Sequence, residues 1–442
     1  MDRRQEELGE EGSAPGHRMH IGLVHWSFPP CVGGVETHLW DYSRALVARG
    51  HLVTVFTGTR NYQLPCESVE VRTHPLLDLS VQRADDEREV GELADWFRNE
   101  LGPPGGPIRL LHCHNLHHFS SVPARALKTL QGELGLVLPH TYHSIWRSSQ
   151  DDRLARECAV WDVHHAVSDF LVKECADVLG AGVDRTYLGV DTDAYLEVAA
   201  LGEIGVRPVI LLPARLIPNK GADVAIRMLR DVIRTGQAFA GSDTPLRPRL
   251  VLTDPVSTVD FHDERDGFRG QLLCLAEKFG LGVGPGEDVE FKPAGIEDMR
   301  KLYEEAAVVV YPSRFDEPMG LAPLEAMCAA RPVVATSVGG LGEGGSTLVA
   351  PAEREDDDKL AARFADEVWQ LLAEPDRARQ AGLAARRHVK NRFDLERVYV
   401  EPMLKEYARL LGRAPQPSAL RQPEGSSGKA QSPEPVATTV SG

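Results

Sequence analysis

Several features are scarce in this 442-residue chain. No apolar run approaches the roughly 18–20 residues that a membrane-spanning helix requires, and the opening Met1-Asp2-Arg3-Arg4-Gln5-Glu6-Glu7 lacks the apolar core of a secretory signal. Stable membrane insertion is therefore not expected, and a cytoplasmic protein is. Basic residues are outnumbered, with 49 Lys and Arg against 65 Asp and Glu and a formal net charge of −16. That balance argues against nucleic acid as a partner, because sequence-independent binding of a polyanion needs a basic face. The seven cysteines are odd in number, scattered and never arranged as Cys-x-x-Cys, so neither a disulfide framework nor a structural zinc site is indicated.

What the chain does have is enough apolar content, 42%, for two or three cored domains. Short β-branched runs alternate with longer amphipathic stretches, the pattern of βαβ units on a parallel sheet. Strands are expected at Ile21–Val24, Val53–Phe56, Leu110–Cys113, Leu136–Leu138, Val209–Leu212, Leu250–Leu252, Val308–Val310 and Val333–Ala335. Between them, Leu39, Tyr42, Leu46 and Val47, and again Ala222, Ile226, Leu229 and Ile233, fall at helical spacing. Two such series predict an α/β chain of two doubly wound, Rossmann-like parallel-sheet domains at 19–205 and 206–392. An amphipathic helix at 393–412 should follow, and turn-rich tails at 1–18 and 413–442 are expected to be disordered.

Ligands of open parallel sheets sit at the carboxyl ends of the strands. After Ile21–Val24 come Gly33 and Gly34 at the opening of a helix, where a phosphate could meet backbone amides; a tight turn would use the same glycines. After Val209–Leu212, Arg215 and Lys220 flank one strand–helix loop, a fork and a point charge suited to a diphosphate. After Val308–Val310, Pro318, Gly320 and Pro323 break helix continuity, so Glu317 lies in a loop and Glu325 one turn into a helix. Two such carboxylates can accept hydrogen bonds from the vicinal hydroxyls of a sugar and a ribose. The free amides near Met319, Gly320 and Leu321 face a phosphate.

Together with Arg331-Pro332-Val333-Val334-Ala335-Thr336 and Val338-Gly339-Gly340, these segments resemble the ordered signatures of glycosyltransferase family 4. The resemblance spans about residues 19 to 412 and is most specific from Tyr311 to Gly340. It implies a GT-B fold, with two Rossmann-like domains facing across a cleft, and retaining transfer of a sugar from a UDP-, GDP- or ADP-type nucleotide donor. It also implies that no metal or other cofactor is needed. Carried over by position, Gly34 offers its backbone to the diphosphate, Arg215 and Lys220 neutralise the leaving group, Glu317 holds the donor sugar and Glu325 the ribose. His143, in Pro139-His140-Thr141-Tyr142-His143-Ser144, matches the active-site histidine that contacts the donor sugar, in preference to His140, which is expected rather to be packed. The resemblance further implies a final helix that crosses back onto the first domain.

In His112-Cys113-His114-Asn115-Leu116-His117-His118 no second ligand cluster supports zinc, and His114 and Asn115, with His140, are candidates to line an acceptor cleft. Asp191-Thr192-Asp193 reads as a turn leading to the interdomain join. The chain departs from the family pattern at Thr253-Asp254-Pro255-Val256-Ser257, at Met319, at Ala330-Arg331 and at Phe291-Lys292-Pro293-Ala294, marking a divergent member. A small-molecule acceptor is expected, because the first domain shows no basic amphipathic helix for docking on a bilayer. Natural-product or thiol-conjugate biosynthesis fits the composition, and a homo-oligomer is compatible with it. The alternatives are a nucleotide-sugar epimerase or phosphorylase of the same fold, or a catalytically silent sugar-nucleotide binding protein.

Overall fold

The computed structural model describes residues 18–58, 68–78, 86–238, 246–254, 262–350 and 356–412, without the side chains of 262–266. The tails expected at 1–18 and 413–442 lie outside this range, apart from Arg18.

The first half forms strands β1 (His20–Val24), β2 (Leu52–Thr57), β3 (Val69–Thr73), β4 (Leu110–His114), β5 (Pro139–Tyr142), β6 (Val163–Ala166) and β7 (Asp184–Arg185). Helices α1 (Gly34–Ala48), α2 (Glu87–Leu101), α3 (Val122–Leu134), α4 (Ser149–Glu157) and α5 (Asp169–Leu179) connect them. The second half has β8 (Val209–Leu212), β9 (Arg249–Asp254), β10 (Val289–Pro293), β11 (Ala306–Tyr311), β12 (Val333–Thr336) and β13 (Thr347–Val349). Its helices are α6 (Ala222–Ala238), α7 (His262–Lys278), α8 (Met299–Glu305), α9 (Leu321–Cys328), α10 (Asp357–Ala373) and α11 (Pro375–Arg392). A π-helical segment, Glu396–Val400, runs into α12 (Glu401–Leu410).

All described strand pairs are parallel, in the orders β3-β2-β1-β4-β5-β6-β7 and β10-β9-β8-β11-β12-β13. Central strands such as β8 (Val-Ile-Leu-Leu) and β11 are buried along their whole length, which is why they read as continuous apolar runs. Strand order reverses between β1 and β4 in one sheet and between β8 and β11 in the other. At such a switch point adjacent loops diverge and leave a crevice. The loops singled out above leave these same strands.

One strand differs from expectation. Leu136–Leu138 touches β4 only through a single bridge from Val137 to Leu110, and the strand proper is Pro139–Tyr142. Proline is tolerated at the first position of a strand, and the polar His140 and Thr141 are buried by neighbouring strands on both sides. Among the described residues, no helix is long and apolar enough to cross a membrane.

The segment after α11 returns to the first sheet. Tyr399, Val400, Met403 and Tyr407 share one apolar cluster with Ile21, Leu23, Leu39 and Tyr42. The Tyr407 hydroxyl lies 2.7 Å from that of Tyr42 and 2.5 Å from His112 Nδ1.

Candidate active site

Three loops converge in the second domain. The one after β8 closes with a 3-10 turn, Pro218–Lys220, and Gly221 at φ +74°, where any Cβ would strike the Pro312 carbonyl. This brings Lys220 against the loop after β11. Its Nζ donates to Glu317 Oε1 at 2.5 Å and to the Tyr311 hydroxyl at 3.1 Å, and it lies over the Phe315 ring. Glu317 Oε1 also accepts from Ser313 Oγ at 2.9 Å. Lys220 is 7% exposed and Glu317 4%, so the ion pair is buried. The loop after β12 closes over it: Gly340 N–H donates to the Glu317 carbonyl, and Gly339, at φ +52°, leaves no room there for a side chain. Arg215, on the first of these loops, is half-buried.

The sequence reading placed Lys220 on a diphosphate and Glu317 on a sugar. The structure brings the two into direct contact, so one loop's cation orients the other loop's carboxylate. Met319, two residues further along the same loop, is buried. Gly320 caps α9 at φ +82°, and a Cβ there would meet the Leu341 side chain. From Leu321 the helix carries Glu325 inward, where Oε2 accepts from the Tyr303 hydroxyl at 2.8 Å. Burial pushes this carboxyl above the ordinary range, and the Tyr303 hydrogen bond offsets part of the rise.

In the first domain the two glycines have different reasons. A Cβ on Gly33 would strike the carboxylate of Glu36, which turns inward, accepts a hydrogen bond from Ser27 Oγ and sits 3.7 Å from His25. Burial pushes the Glu36 carboxyl up, but these partners more than offset it and hold it low. Around Gly34 a Cβ would meet nothing of the described residues within 4 Å. Gly33 thus answers to the protein's own packing, while Gly34 leaves exposed ground at a helix N-terminus.

His143 is the first residue after β5 and is 5% exposed. Its N–H donates to Asn115 Oδ1 at 2.7 Å, and its Nε2 lies 2.9 Å from His114 Nδ1. The acceptor-cleft candidates do not line an open surface. His114 and His140 are fully buried on the central strands β4 and β5, His140 stacks on Trp161, and Asn115 is 6% exposed. Asn115 adopts φ +51°, which its short polar side chain tolerates, and clamps the turn that presents His143. Among the described residues no group of three His, Cys, Asp or Glu side chains could hold a metal ion.

Two family models cover most of this architecture: Glycosyltransferase Family 4 matches residues 32–194, and Glycosyl transferases group 1 matches residues 207–374. The chain belongs to these glycosyltransferases. The glycosyltransferase is 26% identical over 429 residues to the glycogen synthase of Mycobacterium tuberculosis, covering 86% of this chain and 92% of that one. It is 27% identical over 347 residues to a D-inositol 3-phosphate glycosyltransferase of a Nocardioides species, covering 70% and 71%. Among solved structures, HepE of Anabaena in complex with UDP-glucose superposes with a TM-score of 0.67 at 17% identity, over 88% of this chain and 100% of that one. That likeness is one of fold, and the fold is GT-B.

Between the halves of the glycosyltransferase lies a cavity of about 450 Å³. Thr37, Asp41 and Arg44 line it from α1, facing Tyr195, Arg300 and Glu325. Burial raises the Asp41 carboxyl to about 7, with Glu325 and Asp191 adding to the rise and Arg44 opposing it. The sequence reading missed this wall, although a signal was available: Thr37, Asp41 and Arg44 form a polar i, i+4, i+7 stripe beside the Leu39–Tyr42–Leu46 core stripe. Tyr303 was missed too, since nothing in its own segment marks it as the partner of Glu325.

Proposed function

We propose that this glycosyltransferase moves a sugar, with retention and without a metal, from a nucleoside-diphosphate donor to a small-molecule acceptor. The observation that carries the reading is the buried Lys220–Glu317 pair at the carboxyl edge of β8 and β11, with Arg215 on the same loop as Lys220. Burying both charges costs several kcal/mol of desolvation, and a site that must meet a charged leaving group and a polyhydroxyl ring puts that arrangement to use. Arg215 and Lys220 take the charge that grows on the departing diphosphate, so cations of the chain fill the role a divalent ion would otherwise have. Glu317, held by Lys220 and Ser313, accepts from hydroxyls of the donor sugar. Glu325 accepts from the ribose, Gly34 brings its amide to the diphosphate, and His143 meets the sugar beside the transferred carbon.

The donor class is supported by HepE, solved with UDP-glucose, and the acceptor class by the D-inositol 3-phosphate glycosyltransferase. The test is a thermal-shift panel of UDP, GDP, ADP, TDP and CDP, each with and without EDTA, because a ligand that binds only the folded chain raises its apparent stability. One nucleotide should raise Tm equally in both conditions. A shift that disappears with EDTA would overturn metal independence, and no shift with any of the five would overturn the donor assignment.

A further inference from the structure

Both rings of the His114–His143 pair are out of water, and one proton must lie between His114 Nδ1 and His143 Nε2, 2.9 Å apart. There are two ways to place it. If His143 donates, His114 carries its other proton on Nε2, a buried N–H with no partner among the described residues. If His114 donates, its Nε2 keeps only a bare lone pair, and the ring proton of His143 sits on Nδ1. That nitrogen is also buried, with no partner among the described residues. The second arrangement leaves the orphan N–H on His143, which is 5% exposed just past the carboxyl end of β5, and not on the fully buried His114. The first strands the N–H inside the sheet permanently. Buried donors are rarely left unpaired, so the second is favoured.

We infer that His114 is a positioning residue for His143, donating from Nδ1 to His143 Nε2 and thereby fixing His143 as the tautomer that presents Nδ1–H to an oxygen of the donor sugar. The inference rests on the assignment of His143 to the donor sugar. His114 cannot easily turn away. It is fully buried, and its ring lies 4.1 Å from that of His112. Both ring nitrogens of His112 are in turn engaged, by the Tyr407 hydroxyl and by Thr141 Oγ1 at 2.8 Å. Burial, above all, pushes the pKa values of His114 and His143 well down, which keeps both rings neutral as the tautomer requires.

The test uses the full chain and reads nucleoside diphosphate released from UDP-glucose, or from GDP-mannose if GDP is the nucleotide bound. His114→Leu should lower kcat about tenfold, with the donor KM within about twofold of wild type, the loss expected for one buried hydrogen bond. His114→Asn, whose amide lies near the position of Nδ1, should restore most of the loss. In a His143→Ala background His114→Leu should cost nothing more, since a residue that acts only through another has no further effect once that partner is gone. Wild-type kcat in His114→Leu alongside a weakened His143→Ala would overturn this inference alone, whereas full activity in His143→Ala would overturn the donor-sugar assignment beneath it. If His114→Leu does not fold, the tautomer decides. Long-range 15N–1H spectra of histidine-labelled wild type, assigned by the signal lost in His143→Ala, should show His143 protonated on Nδ1, and protonation on Nε2 would refute the proposal.

Discussion

Lys220 and Glu317 illustrate how far a single residue can be read from the sequence. The spacing of Glu317 and Glu325 and the position of Lys220 just before a helix were all visible. Their contact was not, because 97 residues separate Lys220 from Glu317 and only the adjacency of β8 and β11 brings the loops together. The pair also separates stability from function. Lys220→Met leaves a buried carboxylate unpaired and should cost about 3 kcal/mol or more in urea unfolding. The double variant Lys220→Met/Glu317→Leu, which removes both charges, should recover most of that stability while remaining inactive. Recovery of activity along with stability would mean the pair serves only the fold.

At the scale of elements, strands built on runs of apolar residues were legible, while several short or polar ones were missed. Residues 209–212 and 308–310 advertise themselves as unbroken apolar runs, whereas Val69–Thr73 at the sheet edge and the histidine-bearing Pro139–Tyr142 and Val163–Ala166 do not. With β5 three residues later than expected, His140 sits on a core strand, packed as its own segment suggested, and so drops out as a cleft candidate. Helix α1 shows the complementary limit: its apolar stripe was plain, but the use of its polar stripe depends on what faces it. Asp41 makes that use measurable. Its pKa in the folded chain, about 7, lies above the ordinary carboxyl value, so the folded state binds the proton more tightly. Stability is therefore lost as pH rises from the carboxyl range through 7. Asp41→Asn removes that loss and should raise Tm clearly at pH 8 and by less than half as much at pH 5. An equal change at both pH values would show that burial does not raise the Asp41 carboxyl.

For the whole molecule, the two-sheet plan followed from the order of strands and helices, while the way the halves meet did not. Glu343 of the second domain accepts hydrogen bonds from the Asp169 and Phe170 amides, both at 2.8 Å, at the N-terminus of α5 in the first. Ser168, of the first domain itself, serves the next free amide, that of Leu171. A carboxylate there also complements the helix dipole, so Glu343→Ala should cost about 1 kcal/mol. It should also enlarge the radius of gyration measured by small-angle scattering. An unchanged scattering profile would show that this contact does not hold the halves together.

The chain passes between the halves twice, and the two passages are joined to each other. Val190 N–H donates to the Phe393 carbonyl at 2.8 Å, and Leu395 N–H donates back to the Val190 carbonyl at 2.9 Å. Gly189 permits the approach, since a Cβ there would collide with the Leu395 backbone, and Thr192 adds a bond to Asp394. A single tether would let one half swing in any direction, like a weight on a string. Two strands bonded side by side behave as a door on its pin: they leave turning about one line and resist sliding and twisting, so the same loops are kept to the same opposing faces.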